Sequence, residues 1–522
     1  MNERAKIPVL PPSAHPTTST WQDPPDASLA NHRSTPDLPT EVDTVIIGSG
    51  ITGAAVAWGL LEGESSPGRT GQDKGGGKGS GKGKASGILM LEAREACSGA
   101  TGRNGGHTKA ATYRTFTDHF QTHTPSIARQ IALLERANIS AVHAFAREHG
   151  FDGPSGPTGG GGCDLQTCDT VDVVYDPEEW EEALEGVNAM REAFPPSSGD
   201  GAGGDQGSVE APETHRVYTR EEALAAFPVH DGVYKGQEEK VQGAVRYAAG
   251  SLSAYQFGIG VLSLCVDRGL NLQTRTMVTE VKRVGEGSEG EGIWEVYTPR
   301  GVVKAKRVVL ATNGYTAAVW KRFQGVVVPM RGQITAQRPG KKMPNGGSLE
   351  TTYSFIYKNG YEYMITRPEG SRFAGDIIMG GGLVRIPDDG LMEFGTTDDE
   401  SLNEEISEYL RDSTARYFGS DWGEDHADGR VRSEWTGIMG FSPDGFPFVG
   451  EVPGERGLWT SCSFQGHGMV LCWMCAKALV AMMDGRDGDE LREWFPDVFR
   501  ITEERLALEF QGRLDSCSTG AE

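Results

Sequence analysis

Short apolar runs and amphipathic stretches alternate along this chain with polar, glycine-rich segments. The first run, Val45-Ile46-Ile47, has the length of a buried parallel strand, and Ala54-Ala55-Val56-Ala57-Trp58 suits a helix packed on it. Ile88-Leu89-Met90-Leu91 reads as a second buried strand. Residues 125–149 carry Ile127, Ile131, Leu134, Ile139, Val142 and Phe145 at roughly helical spacing. Residues 177–194 predict an acidic amphipathic helix and 253–266 a further helix. Strands are expected at 171–175, 275–281, 293–297, 302–303, 306–310, 361–366 and 377–379. Near the C-terminus, a glycine- and proline-bounded segment at 434–450 ends in a strand, and an apolar helix runs through Met483. Four segments cannot build a core. Residues 1–40 are rich in Pro, Ser, Thr, Asp and Asn, which predicts an arm that is disordered or draped over the surface. Residues 63–86 form a flexible Gly/Lys insertion, and 153–162 and 196–208 are Gly/Pro/Ser loops.

The glycines between the first strand and helix carry the chemistry. Gly48-Ser49-Gly50-Ile51-Thr52-Gly53 is a GxGxxG turn between a strand and a helix N-terminus, a site for a dinucleotide pyrophosphate. Gly48 permits the tight turn, Gly50 lets the backbone approach the phosphates, and Gly53 lets helix and strand pack closely. Such a unit needs an acid closing its second strand, about 20 residues on, to bind ribose hydroxyls. Glu92 lies 44 positions beyond Gly48, and removing the 24 residues of 63–86 leaves about 20.

Composition then narrows the partners. The chain has 522 residues, which predicts more than one domain, and its formal net charge of −23 argues against a nucleic-acid partner. Eight cysteines do not make a disulfide framework, and Cys472-Trp473-Met474-Cys475 sits in an apolar helical run that suits buried core residues better than a redox pair. No ligand spacing points to a metal, and no apolar run reaches membrane-spanning length. A reduced, cytoplasmic protein is the expectation. No second strand–GxGxxG–helix unit is present for a nicotinamide nucleotide, so the bound dinucleotide should take its electrons from the substrate itself.

Two further clusters refine the cofactor. Small residues crowd Cys97-Ser98-Gly99-Ala100-Thr101-Gly102-Arg103-Asn104-Gly105-Gly106-His107, whose backbone can approach a flat ring and whose Arg103 can neutralise phosphate charge. Gly466-His467-Gly468-Met469 opens the last apolar helix with free N–H groups and a positive dipole, suited to negative charge on a reduced ring. With these, the GxGxxG turn, Glu92, Ala311-Thr312-Asn313-Gly314-Tyr315, Pro329-Met330-Arg331-Gly332-Gln333 and Pro443-Asp444-Gly445 together resemble the D-amino-acid oxidase/sarcosine oxidase superfamily of FAD-dependent oxidoreductases. Within it, the chain is similar to the fungal and bacterial amine oxidoreductases akin to gamma-glutamylputrescine oxidase.

The resemblance implies an α/β fold: a Rossmann-like FAD-binding domain and an α+β substrate domain whose large antiparallel sheet roofs the flavin. The expected division is a disordered arm at 1–40, FAD-binding segments at 41–165, 241–325 and 431–500, substrate-domain segments at 166–240 and 326–430, and a tail at 501–522. It implies that Gly48, Ser49, Gly50, Ile51, Thr52 and Gly53 hold the pyrophosphate, and that Glu92 with Ala93 meets the ribose. Ser98, Ala100, Thr101, Arg103, Asn104, Gly105 and Gly106 would run along phosphate and ring, and Val278 would lie near the adenine. Thr312, Asn313 and Gly314 form a further cofactor-side turn, and Gly466, His467, Gly468 and Met469 cap the pyrimidine end. His107 is placed either to bond FAD covalently or to hydrogen-bond beside it. The implied reaction is hydride removal from the carbon beside a substrate nitrogen to flavin N5, with the imine then hydrolysed and the flavin reoxidised by oxygen, giving peroxide, or by another acceptor; the alternatives are oxidation of a C–OH or ring substrate in a biosynthetic pathway, or FAD binding without catalysis. Candidate substrate residues are Arg331, Tyr361, Tyr363, Arg367 and His467; Arg331 or Arg367 would bind a carboxylate, and Trp435 would stand at the mouth or in the core. The lysine that some relatives place over the flavin is missing from 377–382, which leaves the acceptor open.

Overall fold

A computed structural model describes residues 1–65, 87–195, 215–286 and 292–513. Of the insertion expected at 63–86, residues 63–65 end the helix Ile51–Ser65; its remainder, 66–86, and the loop at 196–208 lie outside the described residues. The apolar runs assemble into an eight-stranded sheet whose main path is Phe448–Glu451, Leu458–Cys462, Gly301–Leu310, Glu41–Ile47, Ile88–Leu91 and Asn271–Gln273. Glu41–Ile47 lies at its centre, parallel to Gly301–Leu310 on one side and to Ile88–Leu91 on the other. Its side chains alternate between two cores. Ile46, Met90 and Val309 pack under helices, while Val45, Ile47, Leu89 and Leu310 pack on the opposite face. A parallel strand covered on both faces must be apolar throughout, which is why the run carries no alternation. Helix Ile51–Ser65 crosses between the first two strands and packs against Ala254–Asp267 and Cys472–Met483. Gly59 gives the room for this, since a Cβ there would lie 3.2 Å from Val480.

The second sheet also has eight strands, ordered Val431–Phe441, Val328–Gln337, Ile377–Gly380, Gly360–Thr366, Thr352–Tyr357, Gln166–Val174, Gly243–Ser251 and Arg216–Thr219. Every pairing is antiparallel except Thr352–Tyr357 with Gln166–Val174. The architecture is the expected one, a Rossmann-like unit beside a large, mainly antiparallel sheet. The expected boundaries need correction. Gly243–Ser251 and Val431–Phe441 belong to the second sheet, although the sequence division gave both to the first unit. Their apolar positions are those of strands in either sheet, and only pairing partners decide. The strand expected at 275–281 begins at Glu280; residues 276–279 lie outside it, with the Thr276 N–H donating to the Glu92 carbonyl at 2.8 Å and the Thr279 N–H to the Tyr297 carbonyl at 2.9 Å.

Of the two readings of the N-terminal arm, the disordered one is corrected and the draped one fits, because the arm is ordered and anchored on the body. Val9, Trp21, Leu29 and Ala30 are buried. The Ala96 N–H donates to the Ala30 carbonyl at 3.0 Å, and the Ser34 N–H to the Leu272 carbonyl at 2.9 Å. Single anchors without periodicity give no helix or strand signal, so composition alone does not decide between a free and a draped arm. The tail is anchored as well: Ile501, Leu506 and Phe510 are buried, and Arg505 pairs with Asp444 at 2.6 Å.

Fully buried Asp399 ties arm to body. It pairs with Arg94 at 2.8 Å, and its backbone carbonyl accepts from the Thr17 N–H at 2.7 Å. Asp399→Ala should cost about 3–5 kcal/mol by leaving Arg94 buried without its partner. Urea unfolding measures this, and a loss below about 1 kcal/mol would contradict it.

Candidate active site

The glycine turn is built as its spacing requires. Gly48 has φ of +105°, and a Cβ there would lie 2.5 Å from the Ala311 carbonyl oxygen. A Cβ on Gly50 would sit 2.8 Å from Thr101 Oγ1, and one on Gly53 would collide with the Gly48 carbonyl. Glu92 faces this turn from the end of the neighbouring strand. Its Oε2 accepts from Ser49 N–H at 3.1 Å and Ser49 Oγ at 2.6 Å, and its Oε1 from Arg94 N–H at 2.9 Å. Cys97 locks the same corner, donating its N–H to Ser49 Oγ at 3.0 Å and its Sγ–H to the Ser49 carbonyl at 3.1 Å.

From this turn a cavity of about 620 Å³ runs between the two sheets. Its walls include 47–52, 92–94, 99–101, 103–107, 277–278, 311–313 and 464–472. Most cofactor residues expected from the sequence therefore meet at one cavity. Gly53, Ser98 and Gly314 do not reach it. Gly53 and Gly314 are packing glycines, the latter against the Met439 carbonyl, and the Ser98 carbonyl accepts from Arg94 at 3.1 Å and Arg103 at 3.2 Å. Asn313 lines the wall, but its Oδ1 accepts from Ser463 N–H at 3.0 Å and holds the loop before the last helix. Met469 is fixed from behind, because Asn138 Nδ2 donates to its carbonyl at 3.1 Å.

The ring-facing loop is equally tight. A Cβ on Gly105 would collide with the Tyr363 ring, one on Gly106 would lie 2.8 Å from the Leu252 carbonyl, and one on Gly380 2.5 Å from the Tyr363 hydroxyl. Tyr363 thus fills a slot between two glycines and meets His107 edge-on at 5.6 Å. Backbone without Cβ atoms along such a cavity fits a flat dinucleotide such as FAD, with phosphates at 48–52 and ribose at Glu92.

Three arginines are reassigned. Arg103 is 2% exposed, and its guanidinium turns away from the phosphates to donate to the Thr436 carbonyl at 2.7 Å and to Thr17. Arg331 lines the cavity but is held by Glu393 at 2.6 Å and Asp398 at 3.0 Å. Arg367 lies outside the lining, buried on Asp164 at 2.9 Å and over Trp21 at 5.1 Å. Neither Arg331 nor Arg367 is left with charge for a carboxylate. Trp435 is core, fully buried with Nε1–H donating to the Arg103 carbonyl at 2.9 Å.

Residues that the sequence did not single out complete the site. Arg114, on helix Tyr113–Thr122, lines the cavity with its guanidinium 4.7 Å from the Tyr361 ring centre. Among the described residues it makes no ion pair. Lys109 also stands in the wall, bonded to buried Asp172 at 2.6 Å and to Ser354. Burial alone would raise the Asp172 pKa, but Lys109, Arg114 and the Tyr247 hydroxyl hold it below the usual range. Glu135 lines the wall too; burial pushes its pKa up to about 7, opposed by the Thr112 hydroxyl. The signal for Lys109 and Arg114 was their position two and seven residues beyond His107, close behind the glycine loop.

His107 and His467, both in the cavity wall, are held neutral. Burial, then Lys109, pulls the His107 pKa down to about 3. His467 opens into the cavity, and the protein mass around it, with Arg114, Arg513 and Lys109, pulls its pKa down to about 4. His143, beneath the loop and bonded to Thr108 at 2.8 Å, falls to about 4 through burial, then Arg147. Histidines with lowered folded pKa values add stability above their ordinary value of about 6.5 that is lost as pH falls towards the folded values. Urea midpoints should therefore drop between about pH 7 and pH 4.5, and His143→Gln should flatten that slope. Gly53→Ala should cost several kcal/mol and abolish FAD retention, read as flavin content after purification; normal flavin content would contradict the packing given for Gly53.

Comparison with known proteins agrees with this geometry. Residues 43–482 match the DAO family model, described as FAD dependent oxidoreductase. The chain is 26% identical over 211 residues to glycine oxidase of Pseudomonas aeruginosa, covering 40% of this chain and 50% of that protein. It thus spans about half the length of the curated relatives it matches. Glycine oxidase from Geobacillus kaustophilus superposes with a TM-score of 0.58 at 19% identity, covering 89% of this chain and 99% of that one. L-amino acid deaminase from Proteus vulgaris superposes with a TM-score of 0.60 at 14% identity, covering 90% and 95%. No helix among the described residues is long and apolar enough to cross a membrane, and none of their His, Cys, Asp and Glu groups could hold a metal. With the glycine turn, the acid facing it and the roofed cavity in one frame, the chain belongs to the DAO family of FAD-dependent oxidoreductases.

Proposed function

We propose that this protein oxidises the C–N bond of an amine that carries a carboxylate, an amino acid or a close derivative. The observation that carries this reading is Arg114, a guanidinium on the cavity wall, backed by Tyr361 and without an ion pair among the described residues. An unpaired guanidinium facing a cavity is a bidentate partner for a carboxylate. The relatives support the same class, since their names specify glycine and L-amino acids as substrates.

In this reading, bound FAD supplies the two-electron acceptor at the cavity's ring end. The chain supplies orientation. Arg114 fixes the carboxylate, Tyr363 forms the rigid wall beside Gly105, and the neutral imidazole of His467 offers a hydrogen-bond partner without competing positive charge. The roofing sheet keeps bulk water from the reacting carbon. Glu92 and the turn at 48–53 hold the cofactor and take no part in this step.

The amine loses a hydride and a proton, and water hydrolyses the resulting imine to a carbonyl compound and ammonia or a smaller amine. Oxygen is the terminal acceptor in this proposal and hydrogen peroxide the second product.

Anaerobic mixing with a panel of amines and amino acids tests the reading. Carboxylate-bearing amines should bleach the flavin, and failure of the whole panel would sink the proposal. Arg114→Leu should raise KM for these substrates about a hundredfold with flavin content unchanged. An unchanged KM would remove Arg114 from the site. Peroxide measured on reoxidation decides between oxygen and another acceptor.

A further inference from the structure

The N-terminal arm touches both the cofactor cavity and the back of its wall. Pro11 and Pro12 line the cavity, and Arg94 donates to the Ser13 carbonyl at 3.3 Å. Further along the arm, Thr17 is a node between three parts of the chain. Its Oγ1 accepts from Arg103 at 3.2 Å and from Thr436 N–H at 3.0 Å, and donates to the Asp399 carbonyl at 3.0 Å. Its own carbonyl accepts from the Arg103 guanidinium. Then Trp21, 5% exposed, donates Nε1–H to the Asn104 carbonyl at 2.7 Å, and Gln22 Nε2 donates to the Cys97 carbonyl at 3.4 Å. The Trp21 ring also lies 3.3 Å from where a Cβ on Gly106 would stand.

These contacts fall on the loop 103–106, whose other side is the cavity wall. Arg103, which the sequence offers as a phosphate partner, is occupied in holding the arm. Elsewhere the loop is held by Trp435, whose Nε1–H donates to the Arg103 carbonyl at 2.9 Å, and by the Leu252 N–H on the Gly106 carbonyl at 2.8 Å, while its glycines offer no side chains to pack and a glycine-rich backbone is costly to order.

We infer that residues 11–22 are a clasp for the cofactor. The arm pins the loop 103–106 from behind, through Thr17 and Trp21, in the conformation that lies against FAD, and so sets how long FAD stays bound. Thr17 and Trp21 are positioning residues that act through Arg103 and Asn104, and neither reaches the reacting atoms.

The rate of FAD release from the full-length holoenzyme on dilution, followed by the rise in free-flavin fluorescence, tests this directly and needs no substrate. Trp21→Phe keeps the packing ring and removes the donor to Asn104, while Thr17→Val removes the hydroxyl at nearly constant volume. Each should speed release several-fold, and the two together about tenfold or more, by the net worth of the buried hydrogen bonds removed. Thr17→Ser should restore the wild-type rate. Thr18→Ala, at an exposed position between the two contacts, should leave it unchanged. Far-UV circular dichroism on the same samples separates clasp from scaffold: the flavin should leave while the protein stays folded. Wild-type release from the double variant would overturn the inference. So would release that accelerates only together with loss of the dichroism signal. Flavin that stays on acid-precipitated protein would overturn it too, because covalent retention needs no clasp.

Discussion

The close approach of helix Ile51–Ser65 to the strand before it governs the rest of the structure. At that crossing the helix backbone at Gly53 lies against the Gly48 carbonyl, and Gly48 lies against the Ala311 carbonyl with φ of +105°. Three backbone segments meet where no Cβ fits. Because they meet there, the helix N-terminus opens into the cavity and Glu92 reaches the turn through Ser49. The same crossing brings Cys472–Met483 and Ala254–Asp267 onto the helix, so it also sets the main core.

Charge at the site is decided by saturation more than by position. Of the arginines in the cavity wall, Arg94, Arg103 and Arg331 have their guanidinium groups occupied by Asp399, Thr17 and Thr436, or Glu393. Arg114 instead rests on an aromatic face, which leaves its donors for a ligand. Lys109 also lines the cavity, and its partner Asp172 is fixed by two tyrosine hydroxyls, Tyr113 and Tyr247, each at 2.9 Å. The site thus sets the Arg114 guanidinium in one wall with neutral His107 and His467, an arrangement suited to an anionic group carried by an otherwise neutral reacting amine.

The cofactor half was legible in the sequence because its requirements are local. A strand, a turn without Cβ atoms and a helix must follow one another within a few residues, and Glu92 must close the next strand. The substrate half was much less legible. Arg331 and Arg367 have the right chemistry, but Glu393 and Asp164, which neutralise them, stand 62 and 203 positions away. Similarly, Trp21 was invisible as an anchor because its partner, Asn104, is 83 positions distant and its neighbours show no periodicity.

By itself, then, the sequence determined the tight glycine turn, the acid that faces it and the close-packed glycine loop that follows, since backbone sterics and short-range spacing suffice for their geometry. Tertiary structure decided which sheet claimed Gly243–Ser251 and Val431–Phe441, which arginine stayed unpaired, and that the arm lies on the cofactor loop. Strand pairing and ion pairing depend on partners remote in the chain, and a residue's type does not reveal whether its charge or its backbone edge has already been claimed.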